Sequence, residues 1–273
     1  MIRRASIVIA LLCAVGSARA QTGPRAGGPA PGDFPGTNLA VDLSLAGSLA
    51  RGVADRDLVT GRGIVSFWSG RWGVFVQPYY LYGDVKVAPT APRVETDDER
   101  YLRTAVFHSF SDHLFEFGVV VLDHSLRRLI DRRALLGGGL GATLYNRGGI
   151  TVVTSFGVMA ELAQYDAGTL PDMTVVPAFD RDVARESLRV YGRYRLAAGR
   201  LALVHDVYIM PNVQDVADLR VLVSGAVEVP IAWGFAARVQ IDASYEQFIV
   251  SGTQHDDVAI TFGAAYKNDW KLR

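Results

Sequence analysis

The sequence predicts an all-β protein: a single antiparallel, up-and-down transmembrane β-barrel of about 12 strands, with a polar interior and an apolar exterior. Three observations favour this fold class. Long stretches alternate apolar and polar residues, which places the two kinds on opposite faces of a strand. The connections between these stretches are alternately short and long. The first twenty residues have the pattern of an export signal.

Residues 1–20 form the predicted signal peptide. Two arginines precede an apolar run over 7–15, and Ala18 and Ala20 supply the small residues that a signal peptidase reads. The apolar run is shorter than the roughly 20 residues of a membrane helix, which argues against an anchor. Cys13, the only cysteine, lies in this segment, so we expect no disulfide, cysteine ligand or cysteine nucleophile after cleavage.

The charge balance argues against one class of partner. The whole chain has 28 basic and 28 acidic residues, and removal of Arg3, Arg4 and Arg19 with the signal peptide leaves a net charge of about −3. The remaining chain has no basic cluster, so we expect no binding to nucleic acid. It also has no run of about 18 apolar residues that could form a membrane helix.

Residues 21–36 are rich in Gly, Pro and Ala without periodicity, so we expect a flexible periplasmic leader. A barrel domain is predicted over 37–268, followed by a C-terminal tail, 269–273. The predicted strands are 37–49, 58–69, 72–83, 101–110, 113–123, 133–145, 150–165, 183–196, 201–210, 216–229, 235–246 and 258–268.

The last hairpin shows the alternation most clearly. From Phe235 to Tyr245 every second residue is apolar, and the residues between, from Arg238 to Glu246, are polar or charged. A soluble sheet also shows this pattern, so it does not by itself decide whether the apolar face contacts lipid. The greater strand length favours the membrane, since sandwich strands usually have about five or six residues and membrane-spanning strands about nine to eleven.

The connections predict which end of the barrel faces the periplasm. Those near residues 70, 111, 147, 199 and 231 are short, whereas long polar segments, notably 84–99, 124–132 and 166–182, are predicted loops. Outer-membrane barrels have short periplasmic turns and longer outer loops, and an even strand number puts both termini at the periplasmic end. Aromatic residues near strand ends are predicted to form interfacial girdles: Trp68, Trp72, Tyr79, Tyr80, Tyr145, Tyr165, Trp233 and Trp270.

Charged residues in the strands are expected to line the lumen. The predicted lumen-lining residues are Asp42, Arg62, Glu116, Glu161, Arg189, Arg193, Arg220, Arg238, Asp242 and Glu246. They permit two interpretations, a conduction path or a plug of paired charges. Both signs occur in nearly equal numbers and no ring of one sign forms, which slightly favours the plug.

We expect no catalytic, cofactor-binding or metal-binding residues, and no cofactor. The glycine-rich stretch 137–141 lacks the Gly-Lys-Ser/Thr ending of a phosphate loop and reads as a strand that makes room for large neighbours. Ser125 and Ser109 each follow a histidine, His124 and His108, but adjacent strand residues face opposite ways. His113, His205 and His255 lack the spacing of a zinc site.

Several segments of the chain resemble a known family. They are Val53-Ala54-Asp55-Arg56-Asp57, Trp72-Gly73-Val74-Phe75, Tyr80-Leu81-Tyr82-Gly83, Asp131-Arg132-Arg133, Leu136-Gly137-Gly138-Gly139-Leu140-Gly141, Asp218-Leu219-Arg220, Tyr245-Glu246 and Phe262-Gly263-Ala264-Ala265-Tyr266-Lys267. Together they resemble the salt-induced outer-membrane proteins, a domain-of-unknown-function group. The resemblance implies an outer-membrane barrel linked to envelope or salt stress, without catalytic residues. Such chains end on an aromatic residue, whereas here only Trp270 stands near the end.

These observations predict a monomeric, non-enzymatic protein of the cell outer membrane. Its expected role is envelope integrity or passive passage of small solutes, and we expect a link to salt or osmotic stress. Its expected partners are outer-membrane lipid and the barrel-insertion machinery. Two alternatives stay open: an outer-membrane lipid-modifying enzyme of the lipase or deacylase type, and a soluble periplasmic ligand-binding barrel.

Overall fold

A computed structural model describes residues 38–50, 55–86, 88, 90–169, 175–250 and 255–271. The predicted signal peptide and leader lie outside these ranges. The described chain contains fourteen strands and one 3-10 turn, Ala197–Gly199. The strands are β1 Asn38–Ala50, β2 Asp55–Ser69, β3 Trp72–Lys86, β4 Val94–Ser109, β5 Leu114–Ser125, β6 Ile130–Arg147, β7 Ile150–Tyr165, β8 Gly168–Thr169, β9 Val175–Val176, β10 Phe179–Leu196, β11 Leu201–Pro211, β12 Leu219–Ala232, β13 Phe235–Glu246 and β14 Asp256–Lys271.

Twelve of these strands close into one antiparallel barrel. Each barrel strand pairs with its neighbour in sequence, except that β7 pairs with β10, because β8 and β9 form a small separate hairpin in the connection between them. β1 pairs with β14 from Asn38 opposite Lys271 to Ala46 opposite Gly263, which closes the barrel. The prediction of a twelve-stranded up-and-down barrel is confirmed. Closure leaves no unpaired sheet edge.

The two ends of the barrel differ as the sequence predicts. At the end that holds both described termini, here the termini rim, the turns are 70–71, 110–113, 148–149, 197–200 and 233–234. Gly148 and Gly149 adopt φ of 63° and 82°, which the tight turn between β6 and β7 requires. At the opposite end, the loop rim, the connections are 51–54, 87–93, 126–129, 166–178, 212–218 and 247–255.

Several strands are longer than predicted, among them β4, β10 and β14. β4 begins at Val94 and β10 at Phe179, inside segments predicted as loops, because their polar residues continue to pair with neighbouring strands. β14 continues to Lys271, beyond the predicted strand end at Asn268, because it pairs with the start of β1. These residues are polar, and for that reason the sequence predicted loops there. In the structure, backbone pairing between the strands continues beyond the part of the barrel whose outer face is apolar.

The apolar face of the strands points outwards and most charged residues point inwards. On β13, Ile241 is exposed and its neighbour Asp242 is buried. The outer face carries many exposed aliphatic side chains, such as Leu45 at 67% and Leu136 at 64% exposure. Such a continuous apolar surface is characteristic of a lipid-facing barrel. Within the described ranges, no helix has the length and apolar character needed to cross a bilayer.

The interior is not uniformly polar. Along β3 to β7 it holds a cluster of apolar side chains, including Phe75, Phe107, Phe115, Val153 and Met159. Along β10 to β13 the buried inward residues are mostly charged or hydrogen-bonding. One half of the barrel is therefore packed like a soluble core, and the other half like a network of ion pairs.

Several aromatic residues occupy this interior instead of an interfacial girdle. Exposed positions hold Trp72, Tyr80, Tyr145, Trp233 and Trp270, but Trp68, Tyr79 and Tyr165 are buried, so their assignment to a girdle is wrong. Trp68 fits because it lies over Gly73, where a Cβ would be only 2.2 Å from the indole ring.

The glycine-rich stretch of β6 serves the same purpose. A Cβ on Gly141 would lie 2.2 Å from the ring of Phe115. The prediction that glycine makes room for a large neighbour is confirmed at Gly141. At Gly137, Gly138 and Gly139 the atom nearest to a Cβ would instead be a backbone carbonyl oxygen of the neighbouring strand, at 2.2, 2.6 and 2.1 Å.

Candidate functional site

The charged interior is the candidate functional site. Of the ten residues expected to line the lumen, nine are buried in the barrel or border an internal cavity: Asp42, Arg62, Glu161, Arg189, Arg193, Arg220, Arg238, Asp242 and Glu246. They point inwards because every second side chain of a strand lies on the same face. Their shared interior face is therefore the site to consider.

Glu116 is the exception, and its expected place in the lumen is wrong. It lies on the outer face of β5, half exposed, and its Oε1 is 3.1 Å from Nδ1 of His108 on the neighbouring strand. The inward positions of β5 are taken by Phe115 and Val119. Both faces of β5 carry apolar residues, so the alternation in the sequence did not show which face the charge would take.

A network of ion pairs crosses the bore near the loop rim, and we name it the cross-bore network. On one side, Arg133 on β6 contacts Asp123 on β5, with Nη2 2.5 Å from Oδ2. The same guanidinium reaches Glu246 on β13, with Nη1 3.2 Å from Oε2. Arg128, in the β5–β6 connection, adds a contact of 2.5 Å to Oε1 of Glu246. Glu246 thus accepts hydrogen bonds from two arginines on the opposite wall.

The network continues around β12, β7 and β10. Arg220 contacts Glu246 at 3.1 Å and Glu161 at 2.9 Å. Glu161, which is fully buried, also accepts from Nε of Arg185 at 2.6 Å. Arg185 extends to Asp218, with Nη2 3.3 Å from Oδ1. Buried charges are costly unless paired, and in this network each carboxylate accepts from at least one arginine.

Four residues of the network lie in segments that carry the family resemblance. Arg133, Asp218, Arg220 and Glu246 come from three of those segments, which are far apart in the sequence. In the folded barrel they belong to one set of contacts. The resemblance therefore includes Arg133 and Glu246, which meet across the bore.

A second contact crosses the bore further towards the termini rim. The guanidinium carbon of Arg103 on β4 lies 5.0 Å from the ring centroid of Tyr208 on β11 and 5.2 Å from the ring centroid of Phe75 on β3. Beside it, Arg189 forms two hydrogen bonds of 2.8 Å with the fully buried Asp206. A cation stacked between aromatic rings is favourable when water is excluded. Arg103 therefore closes the middle of the bore together with the apolar cluster.

At the termini rim the interior opens into a cavity of about 430 Å³. At its inner end four charges form a closed ring, which we name the four-charge ring. Lys267 contacts Asp42 at 3.1 Å and Glu228 at 2.6 Å. Arg238 lies 3.4 Å from Asp42 and 3.6 Å from Glu228. The ring joins β1, β12, β13 and β14, and its formal charges cancel.

The serine and histidine candidates do not meet. Ser125 is buried and donates to Oε1 of Glu99 at 2.8 Å, whereas the ring of its neighbour His124 lies outside and approaches the carbonyl of Asp131 at 2.7 Å. The strand alternation separates them, as expected. Among the described residues no group of three or more His, Cys, Asp or Glu side chains has the arrangement of a metal site.

Several interior charges were not anticipated from the sequence. They are Arg103, Asp123, Arg128, Arg133, Arg185, Asp206, Asp218, Glu228 and Lys267. The alternation of side chains on β10 would have identified Arg185. It lies four residues from Arg189 and eight from Arg193, and residues an even number apart on a strand share one face. Arg128 and Asp218 lie in connections, where no periodicity predicts the direction of a side chain.

Asp218, which precedes β12, has a perturbed acidity. Burial alone would raise the pKa of its carboxyl group, but the hydrogen bond from Arg181 and the charge of Arg185 lower the pKa below 3.8 overall. Asn212 also donates to this carboxylate, 3.1 Å from Oδ2. Asp218 is therefore ionised at neutral pH and fixes the loop rim between β10 and β12.

Comparisons with known proteins give low-identity structural similarities and one family. The chain is similar to the translocator domain of autotransporter NalP from Neisseria meningitidis, with a TM-score of 0.47 and 10% identity, over 86% of this chain and 89% of that one. The NanC porin has a TM-score of 0.45 and 10% identity, over 84% of this chain and 98% of that one. An outer membrane channel from Pseudomonas putida F1 has a TM-score of 0.43 and 10% identity, over 94% of this chain and 100% of that one. No curated protein matches the sequence. The model of a family described as "Protein of unknown function, DUF481" matches residues 43–267, and the chain belongs to that family.

Proposed function

We propose that the protein is an outer-membrane β-barrel that is closed across its bore, is not an enzyme, and contributes to envelope integrity. One observation carries this proposal: side chains from opposite walls meet at two levels inside the barrel. Glu246 contacts arginines across the bore near the loop rim, and Arg103 reaches Tyr208 further in. A general pore needs a continuous water-filled path at both levels.

The outer surface supports a membrane location. Exposed leucine, valine, isoleucine and phenylalanine side chains cover the outward face of the barrel strands. In water such a surface would favour aggregation, whereas lipid chains solvate it well. Outer-membrane lipid is therefore the proposed partner of this face, and the barrel-insertion machinery the proposed route into the membrane. Because the barrel is closed by its own strands, a monomer suffices.

The burial of the interior charges favours envelope integrity over passive solute passage. Glu161 and Asp206 are fully buried, whereas carboxylates lining an open pore would contact water. Opening the bore would require breaking several buried ion pairs at once, and loss of one partner of such a pair typically costs about 3–5 kcal/mol. We therefore assign solute passage only to a rearranged state of the barrel.

The proposed link to salt or osmotic stress rests on the resemblance to salt-induced outer-membrane proteins. The interior is compatible with such a role. Salt screens exposed charges strongly but buried pairs much less, so the contacts between Arg220, Glu161 and Arg185 would persist at high ionic strength. The closed barrel would then remain closed under the conditions of the proposed stress.

Neither alternative from the sequence gains support. A lipid-modifying enzyme needs a nucleophile and a base on the same outer surface, but Ser125 lies inside and His124 outside. A soluble periplasmic barrel would not expose Leu45, Leu136 and Ile241.

Two measurements test the proposal. Cell fractionation should recover the full chain with the outer membrane, and its migration on gels should change on heating; release by osmotic shock as a soluble protein would contradict the location. Liposomes containing the purified barrel should swell in small sugars no faster than empty liposomes. Rapid swelling would contradict the closed bore while leaving the location intact.

A further inference from the structure

The cavity at the termini rim has the properties of a small-molecule site. Its volume of about 430 Å³ falls within the approximate range of 300–1,000 Å³ typical of ligand pockets. It is bounded on its inner side by the four-charge ring, and Arg238 of that ring separates it from a much smaller pocket of about 20 Å³ further in. The ring thus bounds the inner end of the cavity along β1, β12, β13 and β14.

The charges on its wall are unequal. Five basic side chains line the cavity, Arg193, Arg195, Arg238, Lys267 and Lys271, and three acidic ones, Asp42, Glu228 and Asp269. The four-charge ring uses two of each sign, so it contributes no net charge. The formal excess of two positive charges therefore lies between the ring and the rim.

The position of this excess follows from the strands. Arg193 and Arg195 are successive inward residues near the end of β10, and Lys271 is the last described residue of β14, paired with Asn38. Arg195 and Lys271 are exposed, so their charged ends reach the water of the rim. Positive charge around the mouth of a low-dielectric chamber attracts anions and raises their local concentration.

The rest of the wall is partly apolar. Ala40, Ile64, Tyr191 and Val204 line the cavity between the charged positions. Ala40, Ile64 and Tyr191 are buried, so they offer a preformed apolar surface. The wall therefore suits a molecule that combines an acidic group with an apolar body. Guanidinium groups bind carboxylate and phosphate particularly well because two N–H groups can point at two oxygens.

We propose that this cavity binds small organic anions, with a carboxylate or phosphate group near Arg195 and Lys271 and the apolar part against Tyr191 and Ile64. The site goes beyond the proposed function, because it depends on the folded barrel and not on its location or on closure of the bore. The ligand enters from the termini rim, which is the periplasmic end in the proposed orientation.

The test uses the full chain, purified as a folded barrel in detergent, with phenyl phosphate and benzoate as probes in calorimetric titrations. Benzylamine and benzyl alcohol serve as the cationic and neutral comparisons. We expect both anions to bind at millimolar concentration or below, and the double variant Arg195→Gln/Lys271→Gln to bind them about tenfold or more weakly. The matched control is Arg71→Gln/Arg200→Gln, which removes two charges from turns of the same rim that do not line the cavity.

A second variant tests the location of the site without changing its charge. Ala40→Phe takes up part of the chamber beside Ile64 and Tyr191 and should weaken binding of both anions about tenfold or more, and a heat-dependent gel shift reports whether each variant has folded. Three results would overturn the proposal: no binding of either anion to the unaltered chain, equal binding of benzylamine, or equal loss in the control variant. An anion affinity unchanged by Ala40→Phe in a folded barrel would place binding outside the cavity and also overturn it.

Discussion

Arg133 and Glu246 lie on strands that are separated by four others in the barrel wall, yet Nη1 of Arg133 is 3.2 Å from Oε2 of Glu246. A contact between such distant strands has to cross the bore. Arg128 and Arg220 meet the same carboxylate. Glu246 is therefore the point at which the two walls of the barrel are joined near the loop rim.

Replacing Glu246 by Gln should destabilise the barrel strongly. The variant keeps the size of the side chain but leaves three buried arginines with one fewer negative charge, and loss of one partner of a buried pair typically costs about 3–5 kcal/mol. The free energy of unfolding in urea, with the barrel in lipid vesicles, measures the effect. Glu186→Gln is the matched control, since Glu186 is exposed near the same rim. If Glu246→Gln lowers the free energy of unfolding as little as the control does, the cross-bore network contributes little to stability.

Asp218 predicts a pH-dependent stability at the loop rim. The pKa of its carboxyl group is lower in the folded state than its ordinary 3.8, so the ionised form stabilises the fold. The stability advantage of the unaltered chain over Asp218→Asn should be full at pH 7 and at every pH well above 3.8. It should shrink as the pH falls further, through the lowered pKa. Unfolding free energies of both proteins across this range give the comparison, and an advantage independent of pH would contradict the assignment.

The position of an arginine on the outer face should determine its cost. Ile241 lies in the middle of β13, and Ile231 lies near the termini rim beside Trp233. In lipid vesicles Ile241→Arg should cost about 2–4 kcal/mol of unfolding free energy, and Ile231→Arg about 0–1 kcal/mol. Both isoleucines are exposed. In a soluble barrel the two replacements would therefore cost equally little, and that outcome would refute the lipid contact.

Adding one methyl group at Gly141 should destabilise the chain. The new Cβ would lie 2.2 Å from the ring of Phe115, and overpacking of this kind typically costs about 1–3 kcal/mol. Gly61→Ala provides the control, since no atom lies within 4 Å of a Cβ there. If the clash with the ring is the cause, Phe115→Ala should remove most of the added cost in a double-mutant cycle. Additive effects of the two changes would exclude that explanation.

The sequence predicts the barrel well because the same physical pattern repeats along the chain. Alternation on β13, with Ile241 and Asp242 on opposite faces, fixes both the strand and its orientation. The pattern is weaker on β5, where Phe115 and Leu114 make both faces apolar. The misplacement of Glu116 follows from that ambiguity.

The contacts across the bore were not predictable in the same way. Strand pairing relates neighbours in sequence, but the meeting of Arg133 with Glu246 depends on the diameter and tilt of the closed barrel, which no local pattern encodes. Likewise, the start of β4 is polar, and its strand character comes from pairing with β3, which β5 joins only from Glu99 onwards. The sequence therefore indicates which charges face inwards, and only the closed fold shows which of them meet.

Single-channel conductance in a planar lipid bilayer tests the closed bore most directly. The barrel should insert without a steady open-pore current, and the same preparation of a variant with Arg103, Arg128, Arg133 and Tyr208 replaced by serine should conduct, because these residues make the contacts across the bore. The variant shows that insertion can be detected. A steady current through the unaltered barrel as large as that of the variant would contradict the account.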